Sequence, residues 1–252
     1  MSSRPHRPFS RILLAVGLAA LPSMARAGDP ALYLEGGLGA KQGDFGSPTL
    51  SRLGLAYGTL GYASDRFDLS LSVPYLRLQT SGGGQDTTAS GLGDVLVRGI
   101  RRLVPETESG FSLDGALAVK FPTAGQAKAL GTGQLDMGGF LGLHQRWDQI
   151  QATLIGGWIQ SQPADALSGV ATANGIYTAG VGLTYLTERG RYSLAYEARG
   201  AQYAGVPAPR EASLGLLRML TDRLALKGSF ILGLNDGSPR TSVGLGVVYW
   251  PR

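Results

Sequence analysis

The feature that most constrains this chain is a period-two alternation of apolar and polar residues that recurs from Ala31 to Trp250. In a β-strand successive side chains point to opposite faces, so such a run has one apolar and one polar side. Phe111, Leu113, Leu117, Val119 and Phe121 share one face of a run, and Ser112, Asp114 and Lys120 share the other. Phe67, Leu69, Leu71, Val73 and Tyr75 likewise oppose Asp68, Ser70 and Ser72. Tyr192, Leu194, Tyr196 and Ala198 oppose Arg191, Ser193, Glu197 and Arg199, while Val243, Leu245, Val247 and Tyr249 oppose Ser242, Gly244 and Gly246. A helical period would mix these sets; period two separates them.

About twelve such runs follow one another, at roughly 31–41, 50–63, 66–79, 89–103, 110–121, 134–147, 149–161, 174–187, 190–203, 209–221, 223–234 and 239–250. Each reaches the roughly 9–11 residues that cross a bilayer at a tilt, against about 5–6 for a soluble strand. The connections alternate. Ser64-Asp65, Asp148, Glu188-Arg189 and Asp222 are tight turns, and Val104 to Ser109 is a little longer. Gly43 to Thr49, Ser81 to Thr88, Pro122 to Gly133 and Gln162 to Ala173 are long, polar and glycine-rich, and two later connections, near Gly205 to Ala208 and Asn235 to Ser238, are short. In bacterial outer-membrane barrels short turns mark the periplasmic end and long loops the outside. The expected fold is therefore all-β: a transmembrane antiparallel up-and-down β-barrel of about twelve strands with both termini periplasmic. A soluble sandwich or lipocalin-like barrel shares the alternation but not this strand length, strand number or loop asymmetry. Tyr75, Trp147, Tyr185, Tyr192, Tyr249 and Trp250 lie near run ends, where interfacial aromatic girdles form.

The N-terminus predicts export. Arg4, His6, Arg7 and Arg11 form a basic region, Ile12 to Leu21 an apolar stretch too short to span a bilayer, and Ala25-Arg26-Ala27 an A-x-A cleavage site. Residues 1–27 read as a Sec-type signal peptide and residues 28–252 as the barrel, in the cell outer membrane. No cysteine follows the cleavage site, which excludes a lipoprotein; with 0 Cys in the chain, disulfides and thiolate metal sites are excluded too. The net charge of +5 includes Arg4, Arg7, Arg11 and Arg26 of the signal, so the mature chain is nearly neutral and gives no argument for nucleic-acid binding. The 39 glycines suit a curved, closed sheet.

Four segments carry a resemblance. They are Ser90-Gly91-Leu92-Gly93-Asp94-Val95 followed by Arg98; Lys120-Phe121-Pro122-Thr123-Ala124-Gly125; Leu130-Gly131-Thr132-Gly133 with Asp136 behind it; and Asn235-Asp236-Gly237-Ser238-Pro239. In this order, spread over nearly the whole chain, they resemble the transporter-type outer-membrane proteins of the MetA-pathway-of-phenol-degradation family. The resemblance implies a twelve-stranded barrel that passes small organic, including aromatic, compounds. Such barrels usually end on an aromatic residue, whereas here Trp250 is followed by Pro251 and Arg252.

The polar faces supply the candidate site. Glu35, Asp68, Asp94, Arg98, Asp114, Lys120, Asp136, His144, Arg146, Arg191, Glu197, Arg199, Glu211 and Lys227 are expected inside. As a hydrated path these charges would select solutes; as cross-strand ion pairs they would brace the wall or close it. The solute-path candidates are Asp94, Arg98, Lys120, Asp136, Arg146, Arg191, Glu197 and Arg199, with Asp94 and Arg98 on one face of one run, Asp136 a further partner, and Lys120 near the outer mouth. His144 is the one histidine after the signal, which excludes a histidine-based metal cluster, and no serine adjoins it. The glycine-rich stretches Gly82-Gly83-Gly84 and Gly131-Thr132-Gly133 precede no helix and read as flexible outside loops rather than phosphate-binding turns. The expectation is a monomeric channel passing small organic solutes passively through a narrow polar lumen, without cofactor or catalysis. Its partners are outer-membrane lipid, the solute and, during biogenesis, periplasmic chaperones and the barrel-assembly machinery. The alternatives are a structural or adhesive barrel with a closed, salt-bridged lumen, and a membrane-embedded hydrolase.

Overall fold

A computed structural model of the chain describes residues 31–44, 50–82, 85–125, 130–131, 133–160, 175–201 and 207–251. The expected signal peptide and most of the connections at 43–49 and 162–173 lie outside the described residues.

The alternating runs become β1 (Ala31–Gly43), β2 (Leu50–Ala63), β3 (Phe67–Gly82), β4 (Gln85–Leu92), β5 (Val95–Val104), β6 (Phe111–Phe121), β7 (Asp136–Trp147), β8 (Ile150–Gln160), β9 (Gly175–Thr187), β10 (Gly190–Arg199), β11 (Arg210–Met219), β12 (Leu224–Gly233) and β13 (Thr241–Tyr249). All pairings are antiparallel; β1 pairs with both β2 and β13, and the β2–β3 pairing completes the ring. The thirteen strands make twelve crossings, because β4 and β5 are two halves of one: β4 runs beside Tyr75–Gly82 and β5 beside Phe67–Ser72 of the same β3. A closed ring leaves no sheet edge facing hydrocarbon, which is why barrels can span membranes at all.

Two faces result. Outward residues are large, apolar and open: Leu38, Leu117 and Leu245 are 67%, 69% and 67% exposed. Trp147, Tyr185, Tyr192 and Tyr249 point outward near strand ends, as the girdle expectation requires, whereas Tyr75 points outward from the middle of β3. Trp250 does not. It shares parity with the inward Val248 (1% exposed) and packs on an inner cluster of Tyr33, Ala63, Leu217, Ala225 and Val248 at the end of the barrel that carries the tight turns.

The tight turns fall where expected. Ser64 donates its N–H to the Phe67 carbonyl at 2.7 Å and accepts the Phe67 N–H on its hydroxyl at 3.1 Å. Two of the expected loops are otherwise. Ser81 to Thr88 is largely a hairpin, because the β3–β4 ladder continues to Gly82 opposite Gln85. The described part of Pro122 to Gly133 is not an exposed flexible loop: Ala124 and Leu130 are 8% and 2% exposed, packed against the inward Leu53, Leu76 and Leu78. Apolar side chains that point into the mouth are the physical reason; they need cover, and this connection supplies it.

Candidate functional site: the inner wall and its clasp

Period two aims the polar residues inward, and register decides which of them meet. At the end of the barrel opposite the tight turns, Lys120 Nζ lies 3.0 Å from Asp94 Oδ2 and 2.9 Å from Asp136 Oδ2, with all three side chains 3–4% exposed. Lys120 and Asp136 are direct partners in the β6–β7 ladder. Asp94 arrives through the break between β4 and β5. There Gly93 donates its N–H to the Pro74 carbonyl at 2.8 Å. The Thr123 hydroxyl accepts the Val95 N–H at 2.9 Å and donates to the Gly93 carbonyl at 3.0 Å. The Ala124 N–H donates to Asp94 Oδ1 at 3.0 Å. Gly131 closes over this clasp: a Cβ there would come within 2.6 Å of Asp94 Oδ1. Three of the four segments behind the family resemblance thus converge on one point. The fourth fastens the connections before β11 and after β12 to each other, with Ser238 Oγ 2.8 Å from both the amide N and the carbonyl O of Arg210, and Asn235 Nδ2 donating to the Ala208 carbonyl at 2.7 Å.

Three further polar groups line the wall. Arg199 reaches Glu197 at 3.1 Å and Glu211 at 2.6 Å, with the Thr178 hydroxyl 3.4 Å from Glu197 and Lys41 facing the same carboxylates. Glu35 accepts from Tyr57 at 2.7 Å and Lys227 at 2.8 Å. Nearby, Asp68 takes the Tyr33 hydroxyl at 3.4 Å and Arg98 at 4.0 Å. Toward the tight-turn end Arg102 pairs with Asp114, whose other oxygen lies 3.3 Å from His144 Nε2. His144 Nδ1 is 3.0 Å from the Thr153 hydroxyl and 3.1 Å from Gln151 Nε2.

Each sequence candidate therefore has a place. Asp94, Lys120 and Asp136 come together. Glu197 and Arg199 come together with Glu211. Asp94 and Arg98 each take a different ion-pair partner, Lys120 and Asp68, since four residues of strand separate them by about 13 Å. Lys120 is clamped between two carboxylates rather than lying open at the mouth. Arg191 enters the inner face at the tight-turn end, where Arg102 and Arg146 are its charged neighbours. Arg146 leaves the wall: its side chain is 44% exposed, 3.5 Å from Glu106, with Nε donating to the Asp148 carbonyl at 2.8 Å beside the tight β7–β8 turn. Among the described residues no three His, Asp or Glu are grouped to hold a metal ion.

The sequence reading missed Arg102, Tyr57 and Lys41, although Arg102 shares strand parity with Arg98. It also missed the apolar part of the wall. Ala118, Phe140, Ile159 and Ile176 form a buried inward cluster with Leu96 and Ala116 against it. Below it lies a cavity of about 50 Å³ bordered by Asp114, Phe140, His144 and Thr153. Glycine makes room for the inward rings: a Cβ on Gly157 would run into Phe140. The lumen is thus amphipathic, with ion networks separated by apolar clusters.

A closed antiparallel barrel of twelve crossings, apolar outside and charged within, defines a membrane-spanning barrel of the outer-membrane class. The comparisons agree on the fold. The chain is similar to the COG4313 outer membrane channel from Pseudomonas putida F1, with 15% identity and a TM-score of 0.72 over 91% of this chain and 97% of that one. It is similar to the KdgM porin at 10% identity and a TM-score of 0.53, covering 87% and 99%, and to the translocator domain of autotransporter NalP from Neisseria meningitidis at 11% and 0.54, covering 87% and 88%. No family model and no curated relative matches the chain.

Proposed function

We propose that this protein is a passive outer-membrane channel for small amphipathic organic solutes, with the termini and tight turns in the periplasm, residues 1–27 removed on export and the mature chain a monomer. The observation that carries this reading is the amphipathic inner wall, where Phe140 stands over a cavity shared with Asp114, His144 and Thr153. A solute with a ring or short chain and one polar group finds both kinds of surface within one residue length. The four segments, three of them convergent on the Lys120 clasp, support kinship with the phenol-degradation transporter group, and the similarity to solved channels and porins supports conduction over a purely structural role. An Asp114–His144–Thr153 relay resembles a hydrolase's parts. However, Thr153 lies mid-ladder between His144 and Gly182, so the neighbouring backbone N–H groups serve the sheet rather than an oxyanion.

The test is conductance of the refolded mature chain in planar bilayers. The wild type is expected to give small steps, and Phe140→Ala larger ones, with faster liposome entry of aromatic acids than of sugars of equal mass. Wild type and Phe140→Ala that both insert but conduct nothing would overturn the reading.

A further inference from the structure

On the outer wall, one step above the aromatic Tyr75, the surface changes character. Arg77 and Gln79 continue the outward face of β3, with Gly54 and Arg52 opposite them on β2 and Ala40 and Gln42 next on β1. Small Ala40 and Gly54 form the floor of a trough of about 470 Å³, and the two arginines stand at its side. Both guanidinium groups are exposed, and among the described residues neither makes an ion pair. The acids nearest by register are otherwise placed. Asp44 is held at 2.6 Å by Arg240. Asp86 pairs in register with Ser81, four residues along β4 from the Ser90 that faces Arg77.

Depth along the barrel identifies what this trough meets. Arg77 lies ten residues from Phe67 at the periplasmic end of β3. At about 3.3 Å per residue and a tilt near 40°, that is roughly 25 Å, the height of a barrel's apolar band. The trough therefore opens at the headgroup level of the far leaflet. Two unpaired guanidinium groups there match a phosphate in charge and in bidentate geometry, while Ala40 and Gly54 leave room for a bulky headgroup beside it.

We infer that the Arg52–Arg77 trough is a binding site for a phosphorylated lipid of the outer leaflet, a phosphoglycolipid headgroup seated on Gly54 between the β1–β3 strands. This rests on the orientation proposed above, but not on conduction, and its test reads binding alone. The full mature chain, purified and delipidated in detergent, is titrated by native mass spectrometry with bis-phosphorylated lipid A and with the same lipid dephosphorylated. The wild type is expected to prefer the phosphorylated form. At about fivefold for each arginine, Arg52→Gln with Arg77→Gln lowers its affinity about twenty-five-fold, while Arg218→Gln on the outer face at the opposite end changes nothing. Heat-modifiable electrophoretic mobility verifies that each variant is folded, and the dephosphorylated lipid needs no variant. Equal binding of both lipids, undiminished binding by the double variant, or displacement of the lipid by inorganic phosphate at its own low-millimolar affinity would each overturn the assignment.

Discussion

Lys120 shows how much one residue can hold in a barrel interior. Its ammonium neutralises two carboxylates that come from different parts of the chain, and the three side chains are 3–4% exposed. Removing the cation leaves two like charges with little water to solvate them, a situation that costs about 3–5 kcal/mol when a buried pair is broken one-sidedly. Lys120→Met is therefore expected to lower the stability of the folded barrel by that order. The combined change Asp94→Asn, Lys120→Met and Asp136→Asn removes the charges together and is expected to recover most of it. Urea unfolding in lipid vesicles, followed by tryptophan fluorescence, distinguishes the two. A triple variant no more stable than Lys120→Met alone would mean that the clasp stabilises by specific geometry rather than by charge balance. Residues such as these were legible as inward-facing, because period two gives the face. Their partners were not: Asp94 and Asp136 lie 26 and 16 positions from Lys120, and register, which the alternation leaves free in steps of two, decides who meets whom.

At the scale of an element, the fourth crossing and the connection after β6 act together. The chain breaks at Gly93-Asp94, the clasp fixes the break, and Leu130 is drawn down onto Leu53, Leu76 and Leu78. The outward strands were easy to read because lipid imposes one demand on every one of them. This connection was not, because its composition is that of an exposed loop, and the signal that contradicts it lies elsewhere: leucines at 53, 76 and 78 on the face that elsewhere carries Ser51, Asp68 and Ser70. Leu130→Asp places a charge in this apolar contact, at a cost that favours releasing the connection into water. The expected result is a barrel that still runs as a folded species on unheated gels but conducts more than the wild type. Unchanged conductance would mean that the outer mouth is not where flow is limited.

At the scale of the whole molecule, the question is which way the barrel faces. The tight turns at Ser64, Asp148, Glu188 and Asp222 share one end with the start of β1, the end of β13 and the connection between β5 and β6, and the remaining connections share the other. The lipid assignment takes the first end as periplasmic, on the rule that outer-membrane barrels keep short turns inside. The natural chain has 0 Cys, so a single introduced thiol reports its side of the membrane without background. Asp236 and Asp222 are both exposed, in connections at opposite ends of β12. In intact cells a membrane-impermeant maleimide too large for the lumen is expected to label Asp236→Cys and to spare Asp222→Cys until the outer membrane is opened. The reverse pattern would invert the barrel. It would then move the Arg52–Arg77 trough to the inner leaflet and leave the inner wall unchanged, since a passive path with ion networks along its length works in either direction.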